Sequence, residues 1–137
     1  MDSKPKGSTT LEQWLAQAAK LVDGLRVPSE IDAPLVPVAL EAPPSPTSAA
    51  SHFGRESAAV ERETLEEALG PLAREEPWFD EAELGAARRF GELLVHLQIT
   101  LIGVTVHRVG APEIDVLIAG ELETGEWVGL TTRLVET

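Results

Sequence analysis

Residues 113–137 read EIDVLIAGELETGEWVGLTTRLVET, and this stretch decides the fold. Ile114 to Leu122 reads as a strand, and at strand period Ile114 to Ala119 is apolar on both sides, with Ile114, Val116 and Ile118 on one and Leu117 and Ala119 on the other. Glu123-Thr-Gly-Glu126 supplies a turn, and Trp127 to Val135 returns as the next strand. Upstream, Val104-Thr-Val-His-Arg-Val109 alternates as another strand and meets the turn Gly110-Ala-Pro-Glu113. A four-residue turn there sets Arg108 opposite Asp115 as a cross-strand ion pair. An antiparallel strand that is apolar on both faces needs cover above and below. The last strand runs almost to Thr137, whose hydroxyl and two carboxylate oxygens it would hold out as a group suited to reaching into a partner's site.

Helices can supply the cover. Thr9 or Thr10 opens the first, each followed three residues later by Glu12 or Gln13 at capping-box spacing. Leu11, Trp14, Leu15, Ala18, Leu21, Val22 and Leu25 form its buried stripe; Gly24 and Pro28 close it. Pro28, Pro34 and Pro37 exclude helix from Val27 to Glu41 and permit at most an edge strand around Leu35–Leu40. Ala42 to Gly54 (APPSPTSAASHFG) reads as low-complexity, part of a mobile Pro/Ser/Ala-rich loop over residues 42–60. Thr64-Leu-Glu-Glu caps a short helix interrupted at Gly70-Pro71. Asp80, with Glu83 at the reciprocal position, starts a long helix to about Leu101, with Leu84, Ala87, Phe90, Leu93, Leu94, Leu97 and Leu101 facing inward. The expected fold is α+β: a three-layer α/β/α sandwich around a small antiparallel sheet, each long helix supplying one layer. It forms a single domain, residues 9–137, behind a flexible N-terminus at 1–8.

Composition narrows the function. With 43% hydrophobic residues over 137 positions the chain is globular and large enough for a real core. It has no cysteine, which excludes disulfides and thiol chemistry and is compatible with a reducing compartment. MDSKPKGSTT has no apolar secretory core, so a cytoplasmic location is expected. The net charge of −12 opposes binding to nucleic acid or to an anionic membrane. It favours a basic protein partner, although solubility alone is a sufficient reason for such a charge.

Catalytic motifs are missing. His52 lies in the loop, His96 on the late helix and His107 on a strand, with no HExxH, nucleophile elbow or phosphate-binding glycine loop. His107 with Asp115 or Glu113 is imaginable as a general-base pair, but no nucleophile or oxyanion donor accompanies it. Glu66-Glu67, Glu75-Glu76 and Glu81/Glu83 fit solvated helix faces or favourable first-turn charges better than metal ligands. Trp78, between Pro77 and Phe79, is either tucked under its loop as a staple or exposed as an interface residue. Glu30 sits on a proline-stiffened segment, which suits a preorganised contact.

Several segments resemble the nuclease A inhibitor family: Thr10-Leu-Glu-Gln, Pro28-Ser-Glu-Ile-Asp-Ala-Pro34, His107-Arg-Val-Gly, Glu113-Ile-Asp-Val and Gly129-Leu-Thr-Thr-Arg-Leu-Val-Glu-Thr137. The likeness runs from about residue 9, is sharpest after Val104 and fades between Ala42 and Ala59. These are small acidic bacterial proteins that block a magnesium-dependent, sugar-non-specific endonuclease. The resemblance implies inhibition rather than catalysis, and a sandwich like that of class 1 pathogenesis-related proteins. It implies that Thr137 enters the partner's active site and offers an oxygen to the partner's magnesium, with Glu136 beside it at the interface. Glu30 would pair with nuclease arginines, and Trp78 would pack at the interface. The family's aspartate before that tryptophan is Pro77 here, with Glu76 one residue away as its substitute. No cofactor is implied for the chain itself, and the expected assembly is a monomer forming a 1:1 complex. An acidic interaction module of the same fold, binding a different basic partner, is the alternative.

Overall fold

The computed structural model describes residues 9–137; the expectation for 1–8 lies outside the described residues. Helix α1 spans Leu11–Val22. Thr10, not Thr9, is its cap: Gln13 N donates to Thr10 Oγ1, and Thr10 N donates to Gln13 Oε1, both at 3.1 Å. A two-strand ribbon follows, β1 (Arg26–Val27) with β2 (Ala33–Pro34), and then strand β3 (Val36–Leu40). Next come α2 (Pro46–His52), β4 (Val60–Glu63), α3 (Leu65–Ala73) and α4 (Glu81–Thr100). Strands β5 (Ile102–Val109), β6 (Glu113–Glu121) and β7 (Trp127–Val135) complete the chain.

The main sheet is antiparallel, in the order β3-β7-β6-β5-β4. Pro37 lies on the edge strand β3, where a missing N–H costs least. The doubly apolar β6 is central, as its sequence requires. On one face Ile114, Val116 and Ile118 join Trp14, Leu69, Phe90, Leu93 and Leu97 in the larger core. On the other, Leu117, Ala119 and Val109 meet Ala49 and Ala50.

The three layers are therefore real, but their composition differs from the expectation. Both long helices, with α3, cover one face, and the opposite layer is α2. That helix lies in the segment read as a mobile loop. Ser48, in place of the usual Glu or Gln, closes its capping box: Ser48 N donates to Ser45 Oγ at 3.0 Å, and Ser45 N donates to Ser48 Oγ at 2.8 Å. Pro46 occupies the start of the helix, where its missing N–H is harmless. Small Ala49 and Ala50 let this short helix lie close to the sheet.

Two other expectations are corrected. Helix α3 is not interrupted at Gly70-Pro71 but continues to Ala73. Pro71 removes the donor for the Glu67 carbonyl, and the packing of Leu69, Leu72 and Ala73 against the core keeps the last turn in place. Arg108 does not oppose Asp115. The register pairs Arg108 with Val116 and Val109 with Asp115. This one-residue difference puts Arg108 and Asp115 on opposite faces of the sheet, because strand side chains alternate.

Candidate functional site

Chain direction gathers the candidate residues at one end of the molecule. Helix α1 starts near the C-terminus of α4, where Trp14 Nε1 donates to Thr100 Oγ1 at 3.0 Å. It finishes near the first half of α4, where Arg89 donates to the Leu21 and Asp23 carbonyls at 2.9 and 2.6 Å. The Ser29–Asp32 loop follows at that end. Strand β7 also finishes there, since Glu113 at the start of β6 pairs with Val135. Helix α3 runs toward the same end, its Leu72 sharing a small cavity with Val27, Arg108 and Leu134. The α3–α4 loop carrying Trp78 therefore emerges at the end occupied by Glu30 and Thr137.

The Ser29–Asp32 loop is internally braced. Ser29 N donates to Asp32 Oδ1 and Ile31 N to Ser29 Oγ, at 3.1 and 3.2 Å. Arg26 donates to the Asp32 carbonyl at 3.1 Å. Asp32 adopts φ 46°, a left-handed conformation that aspartate tolerates better than most residues. The loop grips the tail of β7: Glu30 N donates to the Val135 carbonyl and Val135 N to Ser29 Oγ, both at 3.3 Å. Thr137 Oγ1 then donates to Glu30 Oε1 at 2.6 Å. The two residues singled out from separate segments are thus direct partners.

Glu136 is held from the other side. Its N–H donates to the Pro112 carbonyl at 3.0 Å, and Arg108 Nη2 donates to its carboxylate at 2.8 Å. Arg108 also lies 3.7 Å from Glu63 and 4.0 Å from Glu61 on β4. The opposite sheet face carries a second ionic cluster. Arg55 donates to the carbonyls of Val109 and Glu113 and to Asp115 Oδ2, at 3.1, 2.9 and 3.0 Å. Arg133 pairs with Glu113 at 2.6 Å and lies 3.9 Å from Asp115.

Trp78 is 74% exposed, which removes the staple reading. Its ring meets Phe79 edge-on with centroids 6.2 Å apart, and Phe79 N donates to the Glu76 carbonyl at 3.1 Å. Glu76 lies 4.0 Å from Arg74, and Glu75 lies 3.4 Å from Arg88. These loose surface pairs leave the acids free to be reoriented. Ile31, 47% exposed beside Glu30, is an exposed large apolar side chain that the sequence alone did not single out. Its position next to a proline-framed acid was the available signal.

His107 does not form the imagined general-base pair. It is 1% exposed and pairs in register with Leu117 and Arg62, while Asp115 is engaged by arginines. Burial, reinforced by the nearby positive charge of Arg62, holds its imidazole below the usual range. Among the described residues, no group of three or more His, Asp or Glu side chains is placed to hold a metal ion. No described helix is long and apolar enough to cross a membrane.

No curated protein matches the sequence. A family model described as nuclease A inhibitor-like protein matches residues 12–137, a span containing the braced loop, the exposed tryptophan and the pinned tail, and the chain belongs to that family.

Proposed function

We propose that this protein inhibits a magnesium-dependent, sugar-non-specific endonuclease by presenting Thr137 to the nuclease active site. The observation that carries the reading is the contact between Thr137 and Glu30, in a member of the nuclease A inhibitor-like family. Magnesium takes hard oxygen ligands and usually keeps several waters, so a fixed threonine oxygen can take a position otherwise held by water or a phosphodiester oxygen. Glu30 contributes a carboxylate that arginines of the nuclease, which otherwise grip phosphate, can bind in bidentate fashion. Trp78 and Ile31 supply apolar contact around these polar groups. Glu76 stands in for the acid absent at Pro77.

The net charge of −12 accelerates encounter with a basic active-site surface and makes the rate fall with salt. The protein acts in the cytoplasm as a monomer, in a 1:1 complex burying roughly 1,600 Å², the size usual for enzyme–inhibitor pairs.

The test is a titration of a purified enzyme of this class with the protein at fixed magnesium. Stoichiometric loss of DNA and RNA cleavage is expected, and deleting Thr137 should weaken it sharply without altering the fold. Full cleavage at saturating protein would remove this reading in favour of an interaction module for another basic partner.

A further inference from the structure

Glu136 is exposed at the functional end, yet its carboxylate is already occupied. Arg108 holds it at 2.8 Å, and its N–H is bonded to the Pro112 carbonyl at 3.0 Å. The Arg108 side chain is only 20% exposed, so this pair is screened less than a surface pair. Glu61 and Glu63 on β4 approach the same guanidinium at 4.0 and 3.7 Å. All four side chains lie on the helix-covered face, since Glu61 and Glu63 pair in register with Arg108 and Val106, and Glu136 continues the alternation of Thr132 and Leu134.

We propose that Arg108 is a positioning residue for Thr137, acting through Glu136, which is an internal strap rather than a contact with the partner. The proposal rests on the reading of Thr137 as the inhibitory tip.

The reason is electrostatic. With Arg108 present, three carboxylates converge on one cation. Without it, Glu61 and Glu63 would repel Glu136 and push the tail away from the sheet. Loss of Arg108 is then worse than loss of one contact, because an attractive site becomes repulsive. Arg55 cannot substitute: it sits on the other face and bonds the β5–β6 turn, not the tail. On the opposite side of the tail, Ser29 and Glu30 hold Val135 and Thr137. The last residues are thus fixed from both flanks, which lowers the ordering cost at binding.

The experiment measures amide hydrogen exchange of the free protein alongside endonuclease inhibition. Arg108→Gln should speed exchange at the Glu136 amide by roughly tenfold or more and leave central amides such as Leu117 unchanged. It should weaken inhibition by a comparable factor. In a chain lacking Thr137, the same substitution should leave the residual inhibition unaltered, because its route of action is gone. Glu136→Gln removes the ion pair at an exposed position without touching the core and without creating the repulsion. It should therefore move both readouts in the same direction by a smaller factor, and it serves if Arg108→Gln folds poorly. Unchanged exchange at Glu136 in both variants would overturn the proposal, as would equal losses of inhibition with and without Thr137. Exchange in the free protein involves no nuclease, so a parent that inhibits nothing would refute the functional reading while the strap itself is still tested.

Discussion

Thr137 and Glu30, far apart in sequence, are joined by a 2.6 Å hydrogen bond in which the hydroxyl donates to the carboxylate. The bond orients the threonine side chain and leaves the second carboxylate oxygen for the arginine that the proposed function would bring to it. Glu30→Ala is expected to weaken inhibition by about 2 kcal/mol, roughly thirtyfold, as for a contact at the centre of an interface. Glu30→Gln retains an acceptor for Thr137 but no charge. Inhibition constants equal to those of the parent would show that the charge is unimportant.

Trp78 packs little of its surface inside the protein. Trp78→Ala should therefore shift unfolding by no more than about 0.5 kcal/mol, as expected for an exposed position. Binding should fall by about 2 kcal/mol or more if the indole fills a pocket on the nuclease. Parallel thermal melts and inhibition titrations check both values. A large loss of stability would return Trp78 to a structural role.

Stability should fall on mild acidification. Burial holds His96 below the ordinary imidazole range, and burial with Arg62 does the same for His107. The native protein resists protonating both rings, whereas the unfolded chain protonates them near an ordinary value of about 6.5. Their contribution is thus complete above about pH 6.5 and is lost as the pH falls from there toward the depressed native values. Melting temperatures measured from about pH 8 to about pH 5 should decline, and His107→Leu should flatten the decline. An unchanged slope in that variant would remove His107 from the explanation.

Gly129 lies in β7 opposite Ala119, and a Cβ there would collide with the Ile118 carbonyl oxygen and crowd Ala119. The obstacle is backbone, which cannot rotate aside. Gly129→Ala should cost about 3 kcal/mol or more in urea denaturation, at or above the upper end of overpacking effects. Gly125 has open space around it but φ 94°. Gly125→Ala should cost about 1 kcal/mol from conformation alone. Equal costs at the two positions would contradict the packing argument.

Helix starts were legible because Thr10, Thr64 and Asp80 each sit three residues before a Gln or Glu that returns the bond. The three C-terminal strands were equally plain, β5 from its alternation and β6 and β7 from their apolar runs bounded by turns. Helix α2 was hidden: Ser45 and Ser48 make the same reciprocal bonds, but the surrounding Pro, Ser and Ala resemble a linker. Register was also hidden, since the β5–β6 turn could not be measured by counting residues, and Arg108 was consequently assigned to the wrong face. At the site, a tryptophan between Pro77 and Phe79 has the same local sequence whether covered or exposed, so only tertiary structure decides. The contact between Glu30 and Thr137 depends on where the first loop meets β7, which no local pattern encodes.

Strand β7 lies between β3 and β6 and is hydrogen-bonded along both sides. The residues that the proposed function makes the inhibitory tip are therefore mounted on the seam of the sheet rather than on an appendage. A polypeptide cut before Trp127 would strand β3 without a neighbour and open the core beneath it. On the proposed function, trimming the last few residues would disarm the molecule and leave the sheet intact, whereas any deeper cut would dismantle it.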